Sequence, residues 1–113
     1  MTKLHICGDT THILTDLVTN GADLFNIDHM VDFDMACDVF GKAGKAFKGN
    51  LDPVADIMQA TPDKAEAAAL ACIKRAKGLP YMLSAGCEIP AATPDEVYFA
   101  FARAPQKIDQ PLP

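Results

Sequence analysis

Three residues in this chain are suited to holding a transition metal, and all three fall near the ends of short apolar runs. His5 and Cys7 close the run Lys3 to Cys7, and Cys87 follows the run Tyr81 to Ser84. Imidazole nitrogen and thiolate sulfur are donors that zinc prefers. Residues two apart on a strand project to the same side, so His5 and Cys7 can grip one ion together. Three protein donors leave one tetrahedral position open, the arrangement of catalytic rather than structural zinc. Residue types alone leave a duller account standing, because a His-x-Cys pair is common and cysteine often serves as a small buried hydrophobe. The sequence has no Cys-x-x-Cys, which argues against a structural zinc knuckle or thioredoxin-like chemistry.

For these donors to meet, the elements that carry them must end at one place. The chain reads as a short apolar run followed by a helical pattern, four times over. Strands are expected at Lys3–Cys7, Asp23–Ile27, Ala46–Gly49 and Tyr81–Ser84. The first helix carries Ile13, Leu14, Leu17 and Val18 and closes at Asn20-Gly21. The second starts near Asp32 with Phe33, Ala36, Cys37 and Phe40 on one face, and Gly41 and Gly44 bracket the return. Asn50-Leu51-Asp52-Pro53 leads into a short helix with Val54, Ile57 and Met58. Thr61-Pro62 starts a longer one, Thr at the cap and Pro in the first turn, and Gly78 ends it. Thr93-Pro94-Asp95-Glu96 reads as a capping box before the stripe Val97, Ala100, Phe101 and Ala104. Strands separated by helices favour a parallel sheet, whose strand C-termini share one face where active sites form. A doubly wound sheet and half of a (β/α)₈ barrel both fit this pattern.

At 113 residues the chain is one small domain, expected over residues 1–104 with a disordered Pro- and Gln-rich tail over 105–113. A net charge of −5 with scattered Lys and Arg excludes a nucleic-acid surface. No apolar run approaches a membrane span, and the N-terminus has no signal-peptide pattern, so the expected location is cytoplasmic, with no membrane partner. There the four cysteines stay reduced. Cys37 and Cys72, on apolar helical faces, are expected in the core.

The motifs around the donors carry a resemblance. His5-Ile6-Cys7-Gly8-Asp9-Thr10-Thr11 is similar to the strand-turn motif of corrinoid-dependent methyltransferases in the uroporphyrinogen decarboxylase superfamily. Gly49-Asn50-Leu51-Asp52-Pro53 resembles a segment shared across that superfamily, decarboxylases included. Ser84-Ala85-Gly86-Cys87-Glu88-Ile89-Pro90, followed by Thr93-Pro94, resembles the methyltransferase form of the last strand and loop. The resemblance runs from about Lys3 to Arg103, with the motifs in family order; Asp9 and His12 depart from it, Asn and Pro being commoner there.

It implies the C-terminal half of a (β/α)₈ barrel with a zinc site of His5, Cys7 and Cys87. It also implies transfer of a methyl group from a methylcorrinoid co-substrate to a thiol such as coenzyme M, zinc activating the thiol. Asp28, Asn50, Asp52 and Glu88 would face the same mouth, binding substrate or orienting His5. Each has a plainer reading: Asp28-His29 as a loop pair satisfying backbone groups, and Asn50 and Asp52 as caps. Decarboxylases of the superfamily need no metal and lack the cysteine pair, so metal-free porphyrinogen decarboxylation is the enzymatic alternative. A non-catalytic half-barrel is the other.

A whole barrel of this type needs about 250 residues. The resemblance therefore predicts partners: an N-terminal half-barrel or a second copy, and a corrinoid protein or free methylcorrinoid. The chain alone is expected to be inactive.

Overall fold

The computed structural model describes residues 1–107. Four strands, β1 (Lys3–Ile6), β2 (Leu24–Ile27), β3 (Ala46–Leu51) and β4 (Tyr81–Ala85), form one sheet in the order β1-β2-β3-β4. All three pairings are parallel. A doubly wound sheet reverses its strand order at a switch point, whereas a barrel adds each strand beside the last. Sequential order therefore decides for an arc of a barrel. Among the described residues no helix is long and apolar enough to cross a membrane.

Four α-helices alternate with the strands: α1 (Leu14–Leu17), α2 (Phe33–Ala43), α3 (Pro62–Arg75) and α4 (Asp95–Arg103). Crossovers of one hand between neighbouring strands carry the helices to one side of the sheet. The core lies there in two clusters, Leu14, Phe25, Ile27, Phe33, Phe40 and Phe47 in one, and Leu51, Ile57, Ala65, Ala69, Ala85, Val97 and Phe101 in the other. Phe25, Phe40 and Phe47 stack in series and Tyr81 packs tilted on Phe47, with successive ring centroids 5.1–5.2 Å apart. β3 carries the faintest apolar run in sequence but is the longest strand at six residues, because Phe47 and Leu51 anchor it into both clusters.

Side-chain caps set three of the helix starts. Asp32 accepts from Met35 N at 3.1 Å to open α2, and Thr61 accepts from Lys64 N at 3.3 Å to open α3. Asp52 accepts from Val54 N and Ala55 N at 2.9 and 3.1 Å, starting a π-helical turn over Pro53–Met58. The capping box expected at Thr93–Glu96 does not form. Pro94 holds the cap position without a side-chain acceptor, and the Thr93 hydroxyl donates to Pro90 O at 2.7 Å. Glu96 is therefore a residue too close to the cap to reach back in the usual box. The first helix is shorter than its stripe suggests, a 3₁₀ turn over Thr11–Ile13 running into four α residues. Beyond α4 the chain continues in a 3₁₀ turn, Ala104–Lys107, where Lys107 pairs with Glu66 at 3.0 Å. The remainder of the expected tail, 108–113, lies outside the described residues.

Among the described residues no helix covers the opposite face of the sheet. His5, Asn26, Lys48 and Met82 form one row across it, with Lys3 below on β1. Met82 is 58% exposed there, although it sits mid-strand. Among the described residues β1 and β4 also leave unpaired edges, which invite pairing with another chain. Light scattering on the isolated chain is expected to return a mass above the monomer's 12.1 kDa, without a sharp thermal transition. A rigid monomer with cooperative unfolding would contradict this.

Candidate metal centre

β1 ends at Ile6, so Cys7 stands just past the strand on the same side as His5. The turn that follows is held by Asp28, at the end of β2. Its carboxylate accepts from Gly8 N and Met30 N, each at 3.1 Å, and pairs with His29 Nδ1 at 2.9 Å. Asn50, at the end of β3, is buried and donates through Nδ2 to Asp28 O (3.2 Å) and Val31 O (2.9 Å). The loop between β2 and α2 is thus fixed from both neighbouring strands.

The loop after β4 passes closely over it. Gly86 N donates to Leu51 O at 2.8 Å. Any side chain at position 86 would collide with the Asp28–His29 backbone, so only glycine lets this loop lie so low. The approach brings Cys87 beside Cys7, 80 residues away in sequence, with the sulfurs 3.6 Å apart.

His5 completes the group. Its Nδ1 lies 3.1 Å from Asn26 O, and a carbonyl only accepts, so the neutral ring carries its proton there. Nε2 then offers a lone pair toward Cys7 Sγ, 3.2 Å away. The three donor atoms all lie within 4.8 Å of one another. Zinc–nitrogen and zinc–sulfur bonds of about 2.1 and 2.3 Å place tetrahedral neighbours about 3.5–3.8 Å apart, so the residues fit such an ion with little adjustment. The electrostatics agree. Cys7 is pushed above the ordinary thiol range, first by its hydrogen bond with Cys87 and then by the charge of that neighbour. Two thiolates so close repel, and a cation between them removes that cost.

The other expected site residues divide. Glu88 lines an open cavity of about 400 Å³ with the three donors, alongside Lys3, Asn26, Lys48 and Ser84. Asp28 and Asn50 are committed to backbone groups, and Asp52 caps the π-helical turn, with His29 Nε2 3.6 Å from its other oxygen. None of the four holds His5; the main-chain carbonyl of Asn26 does. Sequence reasoning passed over Asn26, Lys3 and Lys48. The available signal was polar residues at every second position of parallel strands, which ordinarily read as continuous apolar runs.

Asp28→Ala tests this scaffold. It strands two backbone N–H groups and frees the Cys7 turn. The expected cost is about 2 kcal/mol in urea denaturation of the chain completed by an N-terminal half-barrel, with metal affinity lower by about tenfold. No change in either would show that Asp28 does not support the site.

The uroporphyrinogen decarboxylase (URO-D) family model matches residues 1–108. The chain belongs to the uroporphyrinogen decarboxylase family. Within that family it is 37% identical over 94 residues to the methylcobamide:CoM methyltransferase MtbA of Methanosarcina mazei, covering 82% of this chain and 26% of that protein. It is 30% identical over 105 residues to a uroporphyrinogen decarboxylase of Parasynechococcus marenigrum, covering 93% of this chain and 29% of that one. A solved structure of a methyltransferase from Methanosarcina mazei superimposes with a TM-score of 0.82 at 26% identity, over 95% of this chain and 31% of its own. Family members of both kinds are therefore relatives, and the chain spans between a quarter and a third of their length.

Proposed function

We propose that this chain is the C-terminal, metal-holding part of a zinc-dependent methyltransferase that moves a methyl group from a methylcorrinoid to a thiol such as coenzyme M. The convergence of His5 Nε2, Cys7 Sγ and Cys87 Sγ at the C-terminal end of the parallel strands carries this reading. Porphyrinogen decarboxylation needs no metal and gives no reason for three such donors to meet. Similarity to two methylcobamide:CoM methyltransferases, at 37% and 38% identity, supports the same branch.

His5 would bind through Nε2, its ring oriented by the hydrogen bond to Asn26 O. Cys7 and Cys87 would bind as thiolates and give up their protons on loading. Zinc in that position supplies a Lewis acid that keeps a substrate thiol in its nucleophilic form near neutral pH. Glu88, on the cavity wall, would contact substrate, whereas Asp28, Asn50 and Asp52 hold the loops that carry the donors.

The uncovered sheet face, the unpaired edges and the partial span of the relatives support an N-terminal half-barrel as partner, in preference to a second copy. A corrinoid protein or free methylcorrinoid is the second partner. The test is demethylation of methylcobalamin with coenzyme M, followed by absorbance. Turnover is expected from the chain completed by its N-terminal half, none from the chain alone, and loss with a chelator. Undiminished turnover by metal-stripped protein, or none by the completed barrel, overturns the proposal.

A further inference from the structure

The repulsion between two neighbouring thiolates can be removed by a cation, and equally by a covalent bond between the sulfurs. Cys7 and Cys87 are placed for both. Their sulfurs are 3.6 Å apart, and a disulfide needs about 2 Å. Gly8, next to Cys7, has φ of +94° and open space around it, so the Cys7 turn can close the difference. Both cysteines line the open cavity of about 400 Å³, at the strand ends where a whole barrel also stays open. They differ in access: Cys7 is exposed and Cys87 is half-buried. Cys37 and Cys72 differ from both. They pack against the core clusters, where burial pushes their thiols up and bars a reagent. The Cys7 thiol is raised first by its hydrogen bond with Cys87, and it remains open to a reagent.

We propose that Cys7 and Cys87 form a redox switch: a low-molecular-weight disulfide oxidises them to a Cys7–Cys87 bridge that cannot hold a metal, and a thiol reopens it. Cys7, the exposed member, reacts first. Its sulfur attacks the small disulfide, forming a mixed disulfide and releasing one small thiol. Cys87 then attacks the Cys7 sulfur, forming the bridge and releasing the second thiol. The two cysteines are oxidised, the small disulfide is reduced, and the two cysteine protons leave on the released thiols. The bridge spans 80 residues and ties together β1 and β4, the outer strands of the arc. It removes two of the three donors, leaving only His5. The bridge itself does not depend on the methyltransferase reading. One consequence does rest on it: where the acceptor is a thiol, its reduced form opens the site and its disulfide closes it.

The test treats the metal-stripped chain, completed by its N-terminal half, with bis(hydroxyethyl) disulfide and maps the cysteines by mass spectrometry of digests. A linked pair of peptides carrying Cys7 and Cys87, two hydrogens lighter than the reduced pair, is expected. It should form about tenfold or more faster than any adduct on Cys37 or Cys72. Cys87→Ser should stop at the mixed disulfide on Cys7. Cys7→Ser should slow modification of Cys87 by about tenfold, because the exposed entry thiol is gone. Zinc uptake, read with a colorimetric chelator, should fall by about tenfold or more in the bridged protein and return with dithiothreitol. A mixed disulfide that persists on Cys7 in the unaltered protein would overturn the switch. So would a bridge between Cys37 and Cys72 that forms first, or bridged protein that still takes up zinc. If the reduced protein takes up no zinc, the metal reading fails separately, and the digest alone decides whether the bridge forms and reopens with thiol.

Discussion

Replacing Cys87 by serine is expected to abolish stoichiometric zinc, lowering affinity by about a hundredfold or more. Removing a group that merely orients a ligand costs about 10–100-fold, and Cys87 would be a ligand itself. The hydroxyl that replaces it is a poor zinc donor with a pKa far above a thiol's. Cys72→Ser is the control, since Cys72 packs against both core clusters and, among the described residues, belongs to no group of possible metal donors. Metal analysis after exhaustive dialysis reads both variants. Zinc in the unaltered protein and in Cys72→Ser, but not in Cys87→Ser, supports the methyltransferase reading. Absence of zinc from all three supports the metal-free decarboxylase alternative, which the 30% identity to a decarboxylase keeps in play.

Gly49→Ala is expected to destabilise the protein by about 3 kcal/mol. Two costs combine. Gly49 has φ of +139°, a region L side chains rarely adopt, at about 1–3 kcal/mol. Its added Cβ would also stand 2.5 Å from Ile27 O and 2.8 Å from Ile27 Cγ1. Neither can yield, because Ile27 is fully buried in the core at the end of β2 and the obstructing oxygen belongs to the backbone. Relief requires β2 and β3 to separate, and the loops on those strands hold the Cys7 turn through Asp28 and Asn50. Urea denaturation of the completed barrel is the measurement, and a cost below about 0.5 kcal/mol would contradict the close packing. The same variant should lose metal affinity, which a purely local strain would not cause.

Sequence alone determined the four strand–helix units, because periods of two and of 3.6 leave marks in which residues are apolar. It located the starts of α2 and α3, since Asp32 and Thr61 cap within three residues of themselves. It placed His5 and Cys7 on one side of one strand for the same local reason. Its failures are equally local in form. Thr93-x-x-Glu96 matched a capping pattern, but the box needs a threonine at the cap, and Pro94 takes that place. Asp28 and Asn50 were legible as polar residues at strand ends, while their work, gripping backbone groups about 20 residues away, was not.

Only the tertiary structure decided between a doubly wound sheet and a barrel arc, because strand order depends on which edge each new strand joins. It alone set Cys87 at 3.6 Å from Cys7, through a glycine whose missing side chain lets one loop lie on another. It also placed Lys3 and Lys48 over a common cavity, since charges on two non-adjacent strands become neighbours only once β2 lies between them. The donors and their types are properties of the chain; their convergence is a property of the sheet.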